Sequence, residues 1–255
     1  MIQLRQIRSD ADRWAVFLDF DGTLVEIARK PDEVQVGADS LKLLDELDRL
    51  FNGALALVSG RTLANLDSTL GITLPFAIGG HGSQVRRGQG QVESHRLNDS
   101  AQSALNELAA NLSRSHPHAL VELKPAGLAL HYRTNPADRE ALTAAAEDIV
   151  SRFEGQLRLQ PGNMVIEIKP CGIDKGAGIA ELMSIAPFRG RKPVFFGDDL
   201  TDEAGFAVVN TMGGVSVIVG ERKDTSASIR LRSPGEVLGV LRDWVQSPVI
   251  RSASQ

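Results

Sequence analysis

The stretch FLDFDGTLVE, residues 17–26, sets two aspartates, Asp19 and Asp21, two positions apart at the end of an apolar run, with Gly22 and Thr23 directly after them. Taken from residue 15, AVFLDF reads as a strand buried on both faces, the mark of a parallel sheet covered by helices. Carboxylates beside such a strand are costly unless something of opposite charge meets them. The same strand style returns in ALALVSG (54–60), FAIGG (76–80), PVFFGDD (193–199) and GVSVIVG (214–220). Between the first two of these five strands Leu41, Leu44, Leu47 and Phe51 fall at helical spacing. This alternation predicts an open α/β sheet with right-handed crossovers, whose ligands sit outside the carboxyl ends of the strands.

The pattern changes between the two α/β stretches. Ala101, Ala104, Leu105, Leu108 and Leu112 form one helical stripe, and Leu142, Ala145, Ile149 and Phe153 a second. Each is followed by two strands of period two, giving the order helix, strand, strand, helix, strand, strand. Residues 1–96 and 171–255 are therefore expected to form the core, with 97–170 an inserted, smaller α+β domain. Its two helices can cover only the apolar sheet face (Val121, Leu123, Leu128, Leu130, Tyr132, Met164, Ile166, Ile168). The other face then carries Glu122, Lys124, His131, Arg133, Glu167 and Lys169, either half wet like most antiparallel sheets or closing over something polar. Hinges are expected near 96–98 and 170–172. SQVRRGQGQVES (83–94) reads as a hairpin whose tip, 87–90, carries its arginines into solvent. SPGEV (233–237) opens the final helix, with Ser233 as N-cap and Glu236 closing a capping box.

Composition narrows the class. The chain has 255 residues, 42% hydrophobic and 24% charged, with a net charge of −4. That balance suits a globular protein and disfavours bulk nucleic-acid binding. Cys171 is the only cysteine, so neither an intramolecular disulfide nor a thiolate metal cage can form. The charged N-terminus lacks the apolar core of a signal peptide, and no run reaches the ~20 apolar residues of a membrane span. A cytoplasmic monomer with no membrane or nucleic-acid partner is the expectation.

The core strands leave their first polar residues at one edge: Asp19 and Asp21, Ser59 and Arg61, His81, and Asp198 with Asp199. Acidic side chains converging without a histidine or cysteine cage suit a hard cation with oxygen ligands, most naturally Mg²⁺. Asp19 can then attack phosphorus, and Asp21 can protonate the leaving oxygen and later activate water. Gly22 permits a sharp turn that exposes N–H groups to phosphate oxygens. Ser59 offers a hydroxyl donor and Lys175 a point charge at a helix start. Arg61 suits either an ion pair with a nearby carboxylate or a substrate contact.

DFDGT (19–23), Ser59 in VSGR, Lys175 in DKG and GDD (197–199) resemble, in that order, the four motifs of the haloacid dehalogenase superfamily of phosphatases. DFDGTLVEI, ALALVSGR, VELKPAGLALHYR, VIEIKPCGIDKG and GDDLTDEAGFAVVN are similar, over nearly the whole chain, to its trehalose-6-phosphate phosphatase family. The resemblance implies a Rossmann-like core with a cap and Mg²⁺-dependent hydrolysis of trehalose 6-phosphate through an aspartyl phosphate. It implies Asp19 as nucleophile and Asp21 as acid and base. Mg²⁺ would be held by Asp19, the Asp21 backbone carbonyl and Asp198, supported from behind by Asp199 and Asp202, with Arg61 nearby. Gly22, Thr23, Ser59 and Lys175 would bind the phosphoryl group. Glu122, Lys124 and Glu167 would bind the sugar, with His131 and Arg133 on the same face. GGHG (79–82) departs from the less glycine-rich xxHG of that pattern and leaves the role of His81 open. A phosphatase of another sugar phosphate, a non-catalytic sugar-phosphate binder and a phosphomutase are the alternatives.

Overall fold

Apolar strands of this kind need cover on both sides, and the chain supplies it with helices before and after the inserted segment. A computed structural model describes residues 2–27, 34, 36–88, 90–124, 127–162 and 164–246. Gln89, in the expected hairpin tip, and Pro125 and Ala126, in one stretch of family resemblance, lie outside the described residues. In chain order the elements are α1 (Ile2–Ser9), β1 (Trp14–Asp19), α2 (Ala38–Leu50), β2 (Leu55–Val58), α3 (Leu63–Leu70), β3 (Phe76–Gly79), β4 (Gln84–Arg87) and β5 (Val92–Ser94). Then come α4 (Asp99–Ser115), β6 (Leu120–Lys124), β7 (Gly127–His131), α5 (Arg139–Arg152), β8 (Leu157–Gly162) and β9 (Val165–Pro170). The last elements among the described residues are α6 (Lys175–Met183), β10 (Lys192–Gly197), α7 (Glu203–Thr211), β11 (Val215–Val219), β12 (Ile229–Leu231) and α8 (Pro234–Gln246). Two units result, one of residues 1–94 with 174–255 and one of 95–173, where the sequence pattern suggested 97–170 for the insertion.

The first unit holds an eight-stranded sheet in the order β12-β11-β10-β1-β2-β3-β4-β5, parallel from β12 to β3 and antiparallel thereafter. From β1 the chain runs outward one way to β5 and later outward the other way from β10. The switch therefore falls between β1 and β10, where an open α/β sheet forms its binding crevice. Alternate residues of these strands enter two separate cores. Val16, Leu18, Leu57 and Phe196 pack with Leu4 and Ile7 of α1, Leu44 and Leu47 of α2, Leu66 of α3 and Leu241 of α8. Ala15, Phe17, Val58 and Phe195 pack instead with Ile179 of α6, Phe206 of α7 and Phe188. Each fully buried phenylalanine contributes roughly 2–3 kcal/mol over leaving it exposed. The charged N-terminus thus forms an amphipathic helix, and Trp244 Nε1 of α8 donates to the Leu4 carbonyl at 2.8 Å.

Two local expectations need correction. Arg86 does not reach solvent: it is 5% exposed and grips Asp67 through both guanidinium nitrogens at 2.9 and 2.6 Å. Arg87 is tied to Glu181 and Glu93. Both arginines lie on β4 itself, and a strand inside a covered sheet points alternate residues at neighbouring helices. At α8, Ser233 does receive the Glu236 N–H, but the Glu236 carboxylate accepts from the N–H of Arg232 at 2.8 Å rather than from Ser233. The Arg232 guanidinium, 3.9 Å from that carboxylate, favours this one-residue displacement.

The second unit is a four-stranded antiparallel sheet, β6-β7-β9-β8, with α4 and α5 on one face. Leu105 and Leu112 of α4 and Leu142 and Ile149 of α5 bury Leu128, Leu130, Ile166 and Ile168. Cover stops short of the edge, since Leu123 on β6 stays 50% exposed. Among the described residues no helix is long and apolar enough to cross a membrane.

Candidate active site

The chemistry-bearing residues of the first unit gather where β1 and β10 end. β1 finishes on Asp19, 4% exposed, and β10 on Gly197, just before Asp198 and Asp199. α6 opens on Lys175, 3% exposed, because Asp174 caps it by accepting the Ala177 N–H at 2.9 Å. Lys175 Nζ donates to Asp19 Oδ1 and to Asp202 Oδ1, each at 2.7 Å. Asp202 Oδ2 in turn accepts the backbone N–H groups of Asp198 and Asp199, both at 3.0 Å. Asp199 accepts from the N–H and hydroxyl of Thr201.

Charge is unbalanced here. Carboxylate oxygens of Asp19, Asp198 and Asp202 lie within 4.8 Å of one another. Burial pushes Asp19 up to about 7, against the pull of Lys175 and with further push from Asp198 and Asp199. Burial likewise raises Asp198 to about 6, with Asp202 and Asp199 adding to it. Asp202 rises to about 8 through burial and then Asp19. Burial alone would lower Lys175, but Asp19 and Asp202 outweigh it and hold the ammonium charged. Burial would raise Asp199 too, yet Lys175 and the Thr201 bonds bring it below its ordinary value. One ammonium shared among these carboxylates leaves excess negative charge in a dry place, and the donors are all oxygen. That set fits a hard divalent cation such as Mg²⁺.

Among the three clustered carboxylates, Asp202 has both oxygens committed to Lys175 and to backbone N–H groups, so Asp19 and Asp198 are the ones with capacity left. Gly22 permits the arrangement: at φ +84° it turns the chain, and a β-carbon there would stand 2.2 Å from Asp198 Oδ2. Thr23 is fully buried and its hydroxyl has no hydrogen-bond partner among the described residues, an orphan that a phosphoryl oxygen could satisfy.

Asp21 faces elsewhere. Arg61 Nε and Nη2 hold its two carboxylate oxygens in a fork, each bond 2.7 Å, so of the two roles open to Arg61 the ion pair is the one formed. Asn65 Oδ1, Thr69 Oγ1 and the face of Phe20 fix the guanidinium. Neither α3 residue was singled out from sequence, although their spacing of four on one helix face was a signal. Ser59 is fully buried, and its Oγ accepts the Arg61 N–H at 3.1 Å.

In the second unit the strand register aligns Glu122, Ala129, Glu167 and Gln160 in one row across four strands. Lys124 Nζ and Lys169 Nζ bind the two oxygens of Glu167, and His131 Nε2 lies 3.4 Å from Glu122 Oε2. Gln160, not expected from sequence, receives Lys169 at 3.4 Å. Arg133 is exposed two residues beyond the end of β7 at His131, with Tyr132 between them buried in the core. Burial would raise Glu167, but its bonds to Lys124 and Lys169 outweigh burial and hold it at about 2. A carboxyl held below its unfolded value stabilises the fold above that value, and the contribution fades as pH falls toward 2. The melting temperature of Glu167→Gln should therefore lie furthest below the parent's above pH 5, with the gap closing at lower pH.

A family model described as Trehalose-phosphatase matches residues 17–235. The chain is 42% identical over 226 residues to a trehalose-6-phosphate phosphatase of Escherichia coli strain K12, covering 88% of this chain and 84% of that one. It is 38% identical to a probable trehalose-phosphate phosphatase of Sinorhizobium fredii, covering 85% and 82%. The solved C-terminal domain of a C. albicans trehalose-6-phosphate phosphatase superposes with a TM-score of 0.78 over 96% of both chains at 21% identity, a likeness of fold.

Proposed function

The chain belongs to the trehalose-phosphatase family, and on that premise we propose that it hydrolyses trehalose 6-phosphate to trehalose and phosphate in trehalose biosynthesis. The observation that carries the mechanism is the buried Asp19–Lys175–Asp202 array with Asp198 beside it, at the switch point of the sheet. Asp19 is the nucleophile: its carboxylate attacks phosphorus, and the bond from phosphorus to the sugar oxygen breaks. Asp21 is the group to give that oxygen a proton, which requires it to be protonated and freed from at least one of its two bonds to Arg61. Asp21 then takes a proton from water, whose oxygen attacks the aspartyl phosphate and frees both phosphate and Asp19. Ser59, Lys175, Thr23 and the backbone at Gly22 meet the non-bridging oxygens of the group in transit. Mg²⁺, held by Asp19, Asp198 and the Asp21 backbone carbonyl, would supply positive charge against the phosphoryl oxygens. A cytoplasmic, monomeric setting, expected from the sequence, is part of the same proposal.

Glu122, Lys124 and Glu167 are assigned to the sugar, with His131 beside them. Carboxylates accept from sugar hydroxyls and lysine donates to them, which suits a disaccharide whose only charge is its phosphate. Glu122→Ala and Glu167→Ala should each lower kcat/KM for trehalose 6-phosphate by about tenfold or more, the scale of a charge-assisted hydrogen bond. Activity on a small aryl phosphate should stay close to the parent's. Equal losses on both substrates would take these residues out of substrate selection.

The deciding measurement is phosphate release across a panel of sugar phosphates, with and without a chelator. Trehalose 6-phosphate should lead the panel, EDTA should stop release and Mg²⁺ should restore it. A different sugar phosphate leading, or an isomerised sugar phosphate in place of free phosphate, would replace this reading with a neighbouring one.

A further inference from the structure

The Gly79–Gly82 segment, whose histidine has no part in the mechanism so far, sits between two elements of the phosphoryl site. On one side it is laced to the loop that carries Ser59. Ser59 N–H donates to the Ile78 carbonyl at 2.8 Å, His81 N–H to the Ser59 carbonyl at 3.0 Å and Gly80 N–H to the Arg61 carbonyl at 2.7 Å. On the other side it abuts the start of α6. Gly82, at φ +101°, approaches Asp174 so closely that a β-carbon would stand 2.1 Å from the Asp174 carbonyl oxygen. Asp174 is the cap directly before Lys175. The segment is thus a spacer of fixed thickness between Ser59 and Lys175.

His81 occupies the middle of this spacer in a left-handed conformation, φ 54° and ψ 36°, which histidine enters more readily than most side chains. Its ring lies against Gly60. A β-carbon at Gly60 would be 2.5 Å from the ring Cε1 and 2.7 Å from Nε2, so only glycine lets the imidazole rest on the peptide that follows Ser59. A backbone held in a rarely populated region, with its side chain seated on a neighbouring loop, is a restraint on that loop.

We infer that His81 is a positioning residue of the phosphoryl site: seated on Gly60, its ring fixes the Ser59–Gly60 peptide and with it the aim of the Ser59 hydroxyl. This rests on the reading of Ser59 as a phosphoryl donor. A loop free to shift by an ångström can cost up to ~100-fold in rate.

The test is a double-mutant cycle on the full chain with Mg²⁺, using His81→Asn, which tolerates the left-handed backbone, Ser59→Ala, and both together. His81→Asn should lower kcat on trehalose 6-phosphate by roughly ten- to a hundredfold, the scale of a misplaced reacting group. KM and the shape of the pH profile should not change, and inhibition by orthovanadate should weaken in step with kcat. The double variant should be no worse than Ser59→Ala alone, because the two act through one donor. Losses that multiply, or a limb missing from the pH profile, would overturn the inference, the latter by making His81 a proton carrier itself. An impaired Ser59→Ala beside an unimpaired His81→Asn overturns the inference alone. An unimpaired Ser59→Ala overturns the reading beneath it as well. If His81→Asn does not fold, Gly60→Ala displaces the same ring with a methyl group, and an unaltered kcat there overturns the inference equally.

Discussion

Asp19→Asn abolishes phosphate release, with kcat on trehalose 6-phosphate falling at least about a thousandfold, because an amide cannot form the covalent intermediate. The fold survives. Asparagine has the shape of aspartate, and its carbonyl oxygen can still accept from Lys175 as Asp19 Oδ1 does at 2.7 Å. The metal-free variant should in fact melt higher than the parent. Burial raises Asp19 to about 7, so its ionisation opposes folding. A carboxyl raised above its unfolded value loses stability as pH climbs toward the folded value. The gain in melting temperature should therefore grow from pH 5 to pH 7 and level off beyond it. Turnover near that of the parent would remove Asp19 as the nucleophile, whatever the melting curve shows.

Lys175→Met acts on the same array with the opposite sign. It removes the ammonium that holds Asp19 and Asp202, both almost wholly buried. Breaking a buried pair from one side costs about 3–5 kcal/mol. Protons relieve part of that cost, and Asp202, already at about 8, is the first to take one. The stability deficit of the metal-free variant is thus smallest near pH 6 and widens toward pH 9, which denaturant midpoints across that range would measure. Phosphate release should fall by a hundredfold or more, the scale of a lost transition-state donor at ~3 kcal/mol. A variant as stable as the parent at pH 9 would mean that the array does not depend on this cation.

The sheet was legible because its strands are apolar on both faces, and only helices above and below can satisfy such strands. β1, β2, β3, β10 and β11 were all expected within two residues of their observed ends. The gathering of Asp19 and Asp198 followed from a rule about strand ends, and Lys175 was placed with them as a charge at a helix start, so their proximity could be anticipated without any contact being visible. What sequence could not supply was where long side chains go. Arg86 and Arg87 lead into a glycine-rich turn and look solvated, yet both are drawn back to acids on neighbouring helices, Asp67 of α3 and Glu181 of α6. Glu236 slid by one donor for a similar reason. α1 and β12 were not foreseen, because one is short and charged and the other is three residues long.

The place of β10 beside β1 has a consequence for biosynthesis. Asp19 is translated early, while Lys175 follows it by 156 residues and the strand that flanks it on one side starts only at Lys192. Until the ribosome has passed that point, the apolar β1 has a hydrogen-bonding edge with no neighbour, a template for mispairing with other nascent chains. Pairings so distant in sequence also form slowly. Expression should accordingly be sensitive to temperature and to chaperone supply, and fragments that stop before residue 192 should aggregate even though they contain both aspartates of the first motif.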